Sequence, residues 1–416
     1  MSVFLKPLKY KLNFYKIVKK SKLEKQIPKL PKKIIFCKLC VMSNQRPRMV
    51  FDTNGICSSC KWNKEKEKTV DWSKRKKEFE KLLNKYRKNN GDYDVIVPGS
   101  GGKDSAMVAH KLKYEYNMNP LYITWSPLLY TDIGFQNIQN FYSSGIGGWI
   151  FTPDRELQRR ISLLGLIYLG NHFEAFGRGQ MSYPLHVAIQ NNIKLVMAGE
   201  NGEIEYGGTH KNKNKSQQPF QDFVNLYHKG STINELISQG IKDKIIKKNF
   251  LKNPSLKYYS LPDYRELSKN NINFTWFGYY NKWIPQENFY YVAHNCNLNP
   301  NPYGRSEGTF NKYASLDDAT NPLHYYMSYI KFGIGRATAD AAHEIREGHI
   351  NRQEGIQLVK KFDGEYPNKS LQITLEYLGI SKKQLDEIID AFREKRKNLW
   401  SKKNKKWQIK KTVFSK

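Results

Sequence analysis

The sequence predicts an α/β protein built on a parallel β-sheet, with a small metal-binding module before the sheet and a helical region after it. The prediction depends on three observations. A strand of β-branched residues, a glycine-rich turn and a helix follow one another over residues 95–110. Strand-like and helix-like segments then alternate up to residue 198, the pattern of parallel sheets with crossover helices. Two Cys-x-x-Cys pairs precede the sheet.

The segment over residues 95–110 predicts an anion-binding turn. Val95 to Val97 are typical of a buried strand, Pro98 to Gly102 interrupt it, and Lys103 begins a helical pattern. The amides of such a turn and of the first helical turn converge, and the helix dipole favours negative charge there. We therefore predict that one run of residues binds nucleotide phosphates, with Asp104 holding Mg²⁺: Ser100, Gly101, Gly102, Lys103, Asp104 and Ser105.

The identity of residue 104 decides which kind of phosphate loop this is. The nucleotide-triphosphatase pattern requires Ser or Thr after the lysine, and the dinucleotide pattern requires a third glycine where Asp104 stands. The run Ser-Gly-Gly-x-Asp-Ser instead resembles the PP-loop of ATP pyrophosphatases. These enzymes split ATP into AMP and pyrophosphate to activate an oxygen for replacement by nitrogen or sulfur. The alternative is a glycine-rich turn that binds no ligand.

Four of the five cysteines predict a structural zinc site. Cys37 and Cys40 form one Cys-x-x-Cys pair, Cys57 and Cys60 form the other, and sixteen residues separate them. This spacing is typical of four-thiolate zinc ribbons, in which no coordination position stays open for catalysis. Two disulfides and an iron–sulfur cluster are the alternatives. The remaining cysteine, Cys296, is expected to be a buried apolar residue.

The composition of the chain says less than these motifs about which partners the protein binds. Lys and Arg number 69 against 38 Asp and Glu, which gives a formal net charge of +31. Because the lysines are spread along the whole chain without an RNA-binding signature, we expect an anionic small-molecule substrate rather than nucleic acid. The sequence has no apolar run of membrane-spanning length and no signal-peptide pattern near Met1. We therefore expect no transmembrane segment and a cytoplasmic location.

The ends of the second and fourth predicted strands supply further candidate residues. Ligands of open α/β sheets bind beyond the carboxyl ends of the strands. Thr124 and Trp125, at the end of the strand over 120–125, are therefore candidates for the nucleoside pocket, although a tryptophan that fills the core is equally expected. The strand over 194–198 ends at Gly199, and an acidic segment follows it: Glu200, Glu203 and Glu205. Such a segment indicates a magnesium ion or sugar hydroxyls, with a solvated acidic turn as the alternative.

With these motifs in hand, the chain resembles the N-acetyl sugar amidotransferases, PP-loop enzymes of bacterial surface-sugar pathways. The resemblance covers roughly residues 37–365. The ribbon spacing together with Glu205-Tyr206-Gly207-Gly208 is its most specific part. It is carried by ten segments: 37–40, 51–60, 100–105, 199–201, 205–208, 283–287, 307–312, 331–338, 344–346 and 352–354.

The resemblance implies a reaction. ATP adenylates the amide oxygen of an N-acetyl group on a sugar or nucleotide sugar, and ammonia then displaces AMP to give an acetamidino group. Such products enter lipopolysaccharide O-antigen or nonulosonic acid biosynthesis, and the family receives its ammonia from separate glutaminase and cyclase-like subunits. The residues expected to carry catalysis are Lys103, Asp104, Glu200 and Glu205. Gly199 and Arg336 are expected at ATP, although Arg336 could instead only pair with acidic neighbours in its own helix.

Two other readings stay open. A tRNA-modifying PP-loop enzyme, a thiolase or a lysidine-type ligase, would suit the basic balance and the ribbon. The Glu-Tyr-Gly-Gly segment and the lack of a cysteine pair outside the ribbon argue against it. A nucleotide-sensing scaffold with a degenerate site is the third reading, and the complete loop argues against that.

The sequence divides into six regions. Residues 209–275 are the least informative, and within them the polar stretch from residue 211 is expected to be mobile and the helical part to about 260 is a candidate lid. The regions are a basic extension (1–33), the zinc ribbon (34–66), the PP-loop domain (67–210), an insertion or substrate region (211–321), a helical C-terminal region (322–400) and a basic tail expected to be unstructured (401–416).

Overall fold

The centre of the protein is a five-stranded parallel sheet. A computed structural model describes residues 12–217 and 219–415 of the chain. The strands lie side by side in the order β3-β2-β1-β4-β5. From β1 the chain adds β2 and β3 on one side and then β4 and β5 on the other. The order of the strands therefore reverses between β1 and β4, and open α/β sheets bind ligands at such a switch point. The strands are β1 Val95–Pro98, β2 Pro120–Trp125, β3 Gly148–Phe151, β4 Leu195–Ala198 and β5 Asn273–Trp276.

Helices cover the sheet and form the region after it. Within the described ranges the α-helices are α1 Phe14–Lys20, α2 Ser58–Lys68, α3 Trp72–Tyr86, α4 Lys103–Tyr114, α5 Asp132–Ser143, α6 Arg155–Leu164, α7 Glu174–Gln190, α8 Phe220–Asp222, α9 Ile233–Lys242, α10 Tyr264–Lys269, α11 Phe277–Tyr280, α12 Pro285–Cys296, α13 Asn321–Phe332, α14 Arg336–Arg346, α15 Arg352–Phe362, α16 Leu371–Leu378 and α17 Lys382–Lys395. None of them is both long enough and apolar enough to cross a bilayer.

The central strand explains the two cores on either side of the sheet. Successive side chains of a strand point to opposite faces. Val95 and Val97 therefore lie in the core under α4, and Ile96 lies in the core under α7. All three are fully buried, as expected for a parallel sheet covered on both faces. The predicted parallel α/β fold is confirmed.

The fifth strand of the sheet was not predicted from the sequence. β5 is only four residues long and fully buried, so it shows neither the alternation nor the length that marks a strand. It pairs parallel with β4 from Leu195 opposite Asn273 onward. The least informative stretch of the sequence, residues 209–275, therefore returns the chain to the edge of the sheet.

The N-terminal extension is anchored where the structure describes it. Phe14 and Val18, one helical turn apart in α1, are fully buried. α1 packs against α17, and Lys19 forms an ion pair with Glu394 at 2.9 Å. The predicted basic extension over residues 1–33 is therefore packed on the rest of the protein from residue 12 onward, while residues 1–11 lie outside the described part.

The predicted unstructured tail is also corrected over its first half. Residues 400–403 and 406–409 form an antiparallel hairpin, β6 Trp400–Lys403 and β7 Lys406–Ile409. Asn404 and Lys405 both have positive φ, as a two-residue hairpin turn requires. The Trp400 indole donates a hydrogen bond to the Ile330 carbonyl at 2.8 Å and anchors the hairpin on α13.

Candidate active site

A cavity of about 430 Å³ opens at the carboxyl ends of β1 and β4. Its first side is formed by Pro98 to Ser105, and we call it the loop wall. Its second side is formed by residues 311–317 and the facing residues of α14, and we call it the helix wall. Glu200 and Tyr206 lie between them on the lining. The helix wall contributes Asn311, Tyr313, Ala314, Ser315, Leu316, Asp317, Arg336, Asp340, His343 and Glu344.

The loop wall has the backbone shape that the motif predicts. Gly101 has a φ of 83°, and a Cβ there would stand 2.8 Å from Cβ of Ile138, so the position requires glycine. Tyr122, buried on β2, supports the loop from beneath. Its hydroxyl accepts a hydrogen bond from the Gly101 amide at 2.8 Å and bonds the Ser105 hydroxyl at 2.7 Å. The turn is thus fixed in place before any ligand binds.

Lys103 and Asp104 open α4 and face each other. The Lys103 ammonium donates to one Asp104 carboxylate oxygen. The other oxygen accepts from the Asn288 amide at 3.1 Å. Asn288 lies in α12 and is buried, so it orients the aspartate from outside the motif. A carboxylate held in this way beside a glycine-rich turn has the hard oxygen donors that Mg²⁺ prefers.

Glu200 follows β4 and lines the same cavity, half-buried. Burial, with a further contribution from the negative charge of Asp104, raises the pKa of Glu200 to about 7. The preceding residue, Gly199, leaves room for the Trp283 ring, which a Cβ would approach to 2.7 Å. The carboxyl group of Glu200 can therefore exchange a proton near neutral pH.

Arg336 lies at the cavity and also pairs with an acidic neighbour in its own helix. It lines the cavity at the first position of α14, and its Nε donates to Asp340 Oδ1 at 2.8 Å. Its Nη1 donates to the Ser315 hydroxyl at 3.2 Å. Although burial opposes the charge, Asp340 raises the pKa of Arg336 above its ordinary value. Glu344, another acidic residue of the same helix, bonds His349.

Thr124 and Trp125 do not line the cavity. Both are buried at the end of β2, and the Trp125 ring packs edge-on against Tyr259 at 4.9 Å between centroids. Gly179 of α7 lies against the same ring, and a Cβ there would overlap it. The core-filling alternative thus describes Trp125 in this structure. Phe173, Phe176, Gln180 and Met181 line the neighbouring part of the cavity instead.

Glu205 also points away from the cavity. One carboxylate oxygen accepts from the Trp62 indole at 2.7 Å, and the other lies 3.6 Å from the Lys66 ammonium. Lys66 is 1% exposed and also bonds Glu347 at 2.8 Å. This network joins α2 of the ribbon to the segment after β4 and to the end of α14. Its geometry indicates a positioning role for Glu205.

Several lining residues carry no local motif and were missed. Tyr313 and Asp317 come from the loop over 311–317 and His343 comes from α14, while Asn288, which does not line the cavity, reaches Asp104 from α12. One signal was available: Arg336, Asp340 and His343 are spaced four and three residues apart, so they share one face of α14. Two charged residues and a histidine on one helix face indicate a candidate binding site.

The four cysteines meet as the spacing predicts. All are buried, and their sulfur atoms lie within 4.8 Å of one another. The Cys37 and Cys60 sulfurs are 3.8 Å apart, and those of Cys40 and Cys57 are 3.7 Å apart. A tetrahedral site with Zn–S bonds of about 2.3 Å places its sulfurs about 3.8 Å apart. The four thiols therefore fit one zinc ion, and none is in a disulfide.

The fold and the cavity together define an α/β protein with a glycine-rich turn at the cavity, a four-cysteine ribbon and a helical C-terminal region. Comparison with known proteins gives a family for the last of these. Residues 307–413 match the family model described as LPS biosynthesis protein WbpG-like, C-terminal domain. The C-terminal region is therefore WbpG-like, and the match supports the resemblance to the N-acetyl sugar amidotransferases. The matched residues include the whole helix wall.

One curated relative matches a shorter stretch. The uncharacterized protein MJ1599 of Methanocaldococcus jannaschii is 31% identical over 86 residues, which is 20% of this chain. The matched stretch spans only 30% of that protein's length.

Proposed function

We propose that this protein is an ATP-dependent amidotransferase that converts the N-acetyl group of a sugar or nucleotide sugar into an acetamidino group, in the biosynthesis of lipopolysaccharide or a related surface sugar. One observation carries the proposal. A single cavity places the Ser-Gly-Gly-x-Asp-Ser loop opposite α14 of the WbpG-like region. The first feature supports ATP cleavage, and the second supports a sugar substrate.

The loop wall would hold the phosphates of ATP. The amides of the turn and of the start of α4 offer hydrogen-bond donors, and Lys103 offers a cation. Arg336 would bind from the opposite wall. Mg²⁺ on Asp104 would neutralise phosphate charge while the pyrophosphate departs.

The amide oxygen of the N-acetyl group is a poor leaving group, and adenylation converts it into a good one. The amide oxygen of the acetyl group attacks the α-phosphorus, the bond to the bridging oxygen breaks, and pyrophosphate leaves. Ammonia then adds to the activated carbon, nitrogen loses a proton, and AMP departs with the former amide oxygen. Glu200 lines the cavity beside Asp104 and titrates near neutral pH, so we assign it the proton from nitrogen.

Ammonia would come from other subunits. A glutaminase needs a nucleophilic thiol that its substrate can reach. Cys296 is only 2% exposed, and burial raises the pKa of its thiol. The other four cysteines are gathered in the ribbon. This supports a separate glutaminase as the nitrogen source, with its ammonia delivered through a cyclase-like subunit.

The test supplies ammonia directly. The zinc-loaded protein is incubated with ATP, Mg²⁺, ammonium and a panel of N-acetylated sugars and nucleotide sugars. We expect AMP, pyrophosphate and a product whose mass fits replacement of oxygen by NH. The Asp104→Ala variant is the negative control, and Cys296→Ser is expected to keep its activity with ammonium.

Two outcomes would contradict the proposal. AMP release that requires tRNA rather than a sugar would favour the tRNA-modifying alternative. Tight ATP binding with no turnover on any sugar of the panel or on tRNA would favour a sensing role.

A further inference from the structure

The central sheet has one covered edge and one open edge. At the β5 edge, Gln217 forms an antiparallel bridge with Thr275. At the opposite edge β3 pairs with β2 alone, and in the part of the chain that the structure describes no other segment pairs with its outer side. An open edge offers a row of backbone donors and acceptors to another strand. The fold therefore covers one edge of its sheet and leaves the other available.

Gly148 and Ile150 carry the hydrogen-bonding groups on the open side of β3. The Tyr122 amide of β2 donates to the carbonyl of Gly147, the residue before β3, at 3.0 Å. Because backbone groups alternate between the two sides of a strand, those of Trp149 also face β2. The N–H and C=O groups of Gly148 and Ile150 therefore point outward, where a further strand could pair with them.

This edge also exposes two large apolar side chains. Trp149 is 42% exposed and Ile150 is 39% exposed. Since successive side chains point to opposite faces, the two extend the apolar surface over both faces of the sheet. Edge strands of natural proteins are usually protected by lysine, proline or a bulge, and β3 contains neither lysine nor proline. An apolar edge of this kind indicates an interaction surface.

The surface that surrounds β3 is uncharged, which points to a second copy of this chain as the partner. Charged residues make up 26% of the chain and its formal net charge is +31, yet residues 133–153 contain none. This stretch includes β3 and all of α5 after its first residue. Two copies of a strongly basic protein repel each other unless they meet at uncharged faces. Such a face is present here.

Helix α5 widens this uncharged surface. A strand of four residues by itself buries less than the roughly 1,200 Å² of a stable interface. When two edge strands pair antiparallel about a two-fold axis, each face of one sheet continues into the same face of the other. The two α5 helices would then flank the junction. The exposed residues of α5 after Asp132 are Phe135, Gln136, Gln139 and Ser143.

Charges of opposite sign lie at the two ends of β3. Before the strand, the Lys113 ammonium donates to the Gly145 carbonyl. After the strand, the exposed residue Asp154 begins α6 as its N-terminal cap. Antiparallel pairing brings the beginning of one β3 to the end of the other. It therefore directs Lys113 of each copy toward Asp154 of the other copy, which favours antiparallel over parallel association.

We propose that two copies of this chain pair their β3 strands antiparallel about a two-fold axis and join their sheets into one continuous sheet. Two-fold dimers are the commonest closed assemblies of identical chains. The register that uses both outward residues sets Gly148 opposite Ile150 of the second copy, and each such pair exchanges both N–H···O bonds. The two Trp149 side chains then lie opposite each other at the axis, as a cross-strand aromatic pair. The inference is independent of the proposed function, since each chain contains a complete cavity.

Self-association of the zinc-loaded full chain is measured first. We expect sedimentation velocity and light scattering to show a monomer–dimer equilibrium, with the dimer favoured as concentration rises. Hydrogen exchange then locates the contact. The amides of Gly148 and Ile150 should exchange more slowly in the dimer than in the dilute monomer. The Trp149 amide, which faces β2, should be protected equally in both.

The variants assign the dimer to β3. Trp149→Lys sets like charges opposite each other and should weaken association on the order of 100-fold or more. Ile150→Pro removes an outward N–H while the pairing with β2 is kept, and it should also weaken association. A mixture of Trp149→Lys and Trp149→Glu should form a mixed dimer again. Tyr264→Lys, at an exposed tyrosine of α10, is the matched control and should associate as wild type does.

Three results would overturn the inference. One is a chain that stays monomeric at every concentration. The second is a dimer that persists in both Trp149→Lys and Ile150→Pro, and the third is a dimer in which the Ile150 amide gains no protection. Zinc content and melting temperature verify that each variant is folded. AMP release per chain should be the same in Trp149→Lys as in wild type, so failure of the dimer and failure of the proposed function are separate results.

Discussion

The two walls of the cavity are built in opposite ways. The loop wall is one continuous segment, and its functional groups lie within six consecutive residues, Ser100 to Ser105. The helix wall combines a loop over 311–317 with one face of α14, and the ribbon lies behind it through Arg352, which donates to the carbonyls of Cys37 and Cys40. A local wall is specified by a motif, whereas a distributed wall is specified by packing. Each is therefore expected to fail for a different reason.

Removal of zinc should break the helix wall and spare the loop wall. Structural zinc sites contribute on the order of 10 kcal/mol of folding free energy to small ribbons. In Cys57→Ser, or after chelation, we expect hydrogen exchange to rise over residues 37–60 and 203–208 and in α14 and α15, because residues of both helices share the hydrophobic core of the ribbon. Residues 95–110 should stay protected, because their contacts are with β2 and α5.

Metal analysis of the untreated protein should give about one zinc ion per chain. Faster exchange over residues 95–110 to the same extent would show that the two walls are one cooperative unit. Cys296→Ser is the matched control, because that cysteine lies outside the ribbon, and it should change neither zinc content nor exchange in the ribbon.

Asp104→Asn tests the loop wall alone. The substitution keeps the shape and removes the charge that pairs with Lys103. We expect AMP release to fall about 10²- to 10³-fold, the range for loss of one group that stabilises transition-state charge. Melting temperature should change little. Asn288→Ala, which removes the hydrogen bond to Asp104, should give a smaller loss of the same kind.

The pH dependence of stability in the Glu200→Gln variant tests the carboxyl group that lies between the two walls. The folded protein holds this proton up to a pKa of about 7, against an ordinary value of 4.5. As pH rises, the unfolded chain releases the Glu200 proton near pH 4.5, whereas the folded protein keeps it up to about pH 7. The free energy of unfolding therefore falls as pH rises through this range. The variant lacks this loss. We expect it to be more stable than wild type by on the order of 1–3 kcal/mol at about pH 8, and equal to it near pH 4.

Urea unfolding at both pH values measures this difference. Glu376→Gln, at an exposed position of α16, is the control and should show no such pH dependence. Equal stability of Glu200→Gln and wild type at the higher pH would remove Glu200 as the proposed base.

Arg336→Lys is the mildest test of the helix wall. The charge that faces Asp340 is kept, but the contact to Ser315 and the planar fork are lost. We expect KM for ATP to rise about 10-fold with a smaller change in kcat, since Arg and Lys differ at bidentate phosphate contacts. An unchanged KM would mean that Arg336 only pairs with Asp340.

The sequence is informative where chemistry and conformation are local. The loop could be predicted because glycine is required at Gly101 and because Lys103 and Asp104 adjoin it. The ribbon could be predicted because each Cys-x-x-Cys pair supplies two ligands from one turn. The tail was misjudged, since its basic composition conceals a strand, β7, that pairs with the strand beginning at Trp400, which packs under α13.

Tertiary structure decided which of the candidate residues share a cavity. Glu200 and Glu205 are five positions apart in one acidic segment, yet the first lines the cavity and the second is bound to Trp62 and Lys66. Trp125 ends the right strand but fills the core. Local sequence fixes what a segment can bind, because backbone conformation and neighbouring side chains are local. The direction in which an isolated side chain points depends on which distant element packs over it.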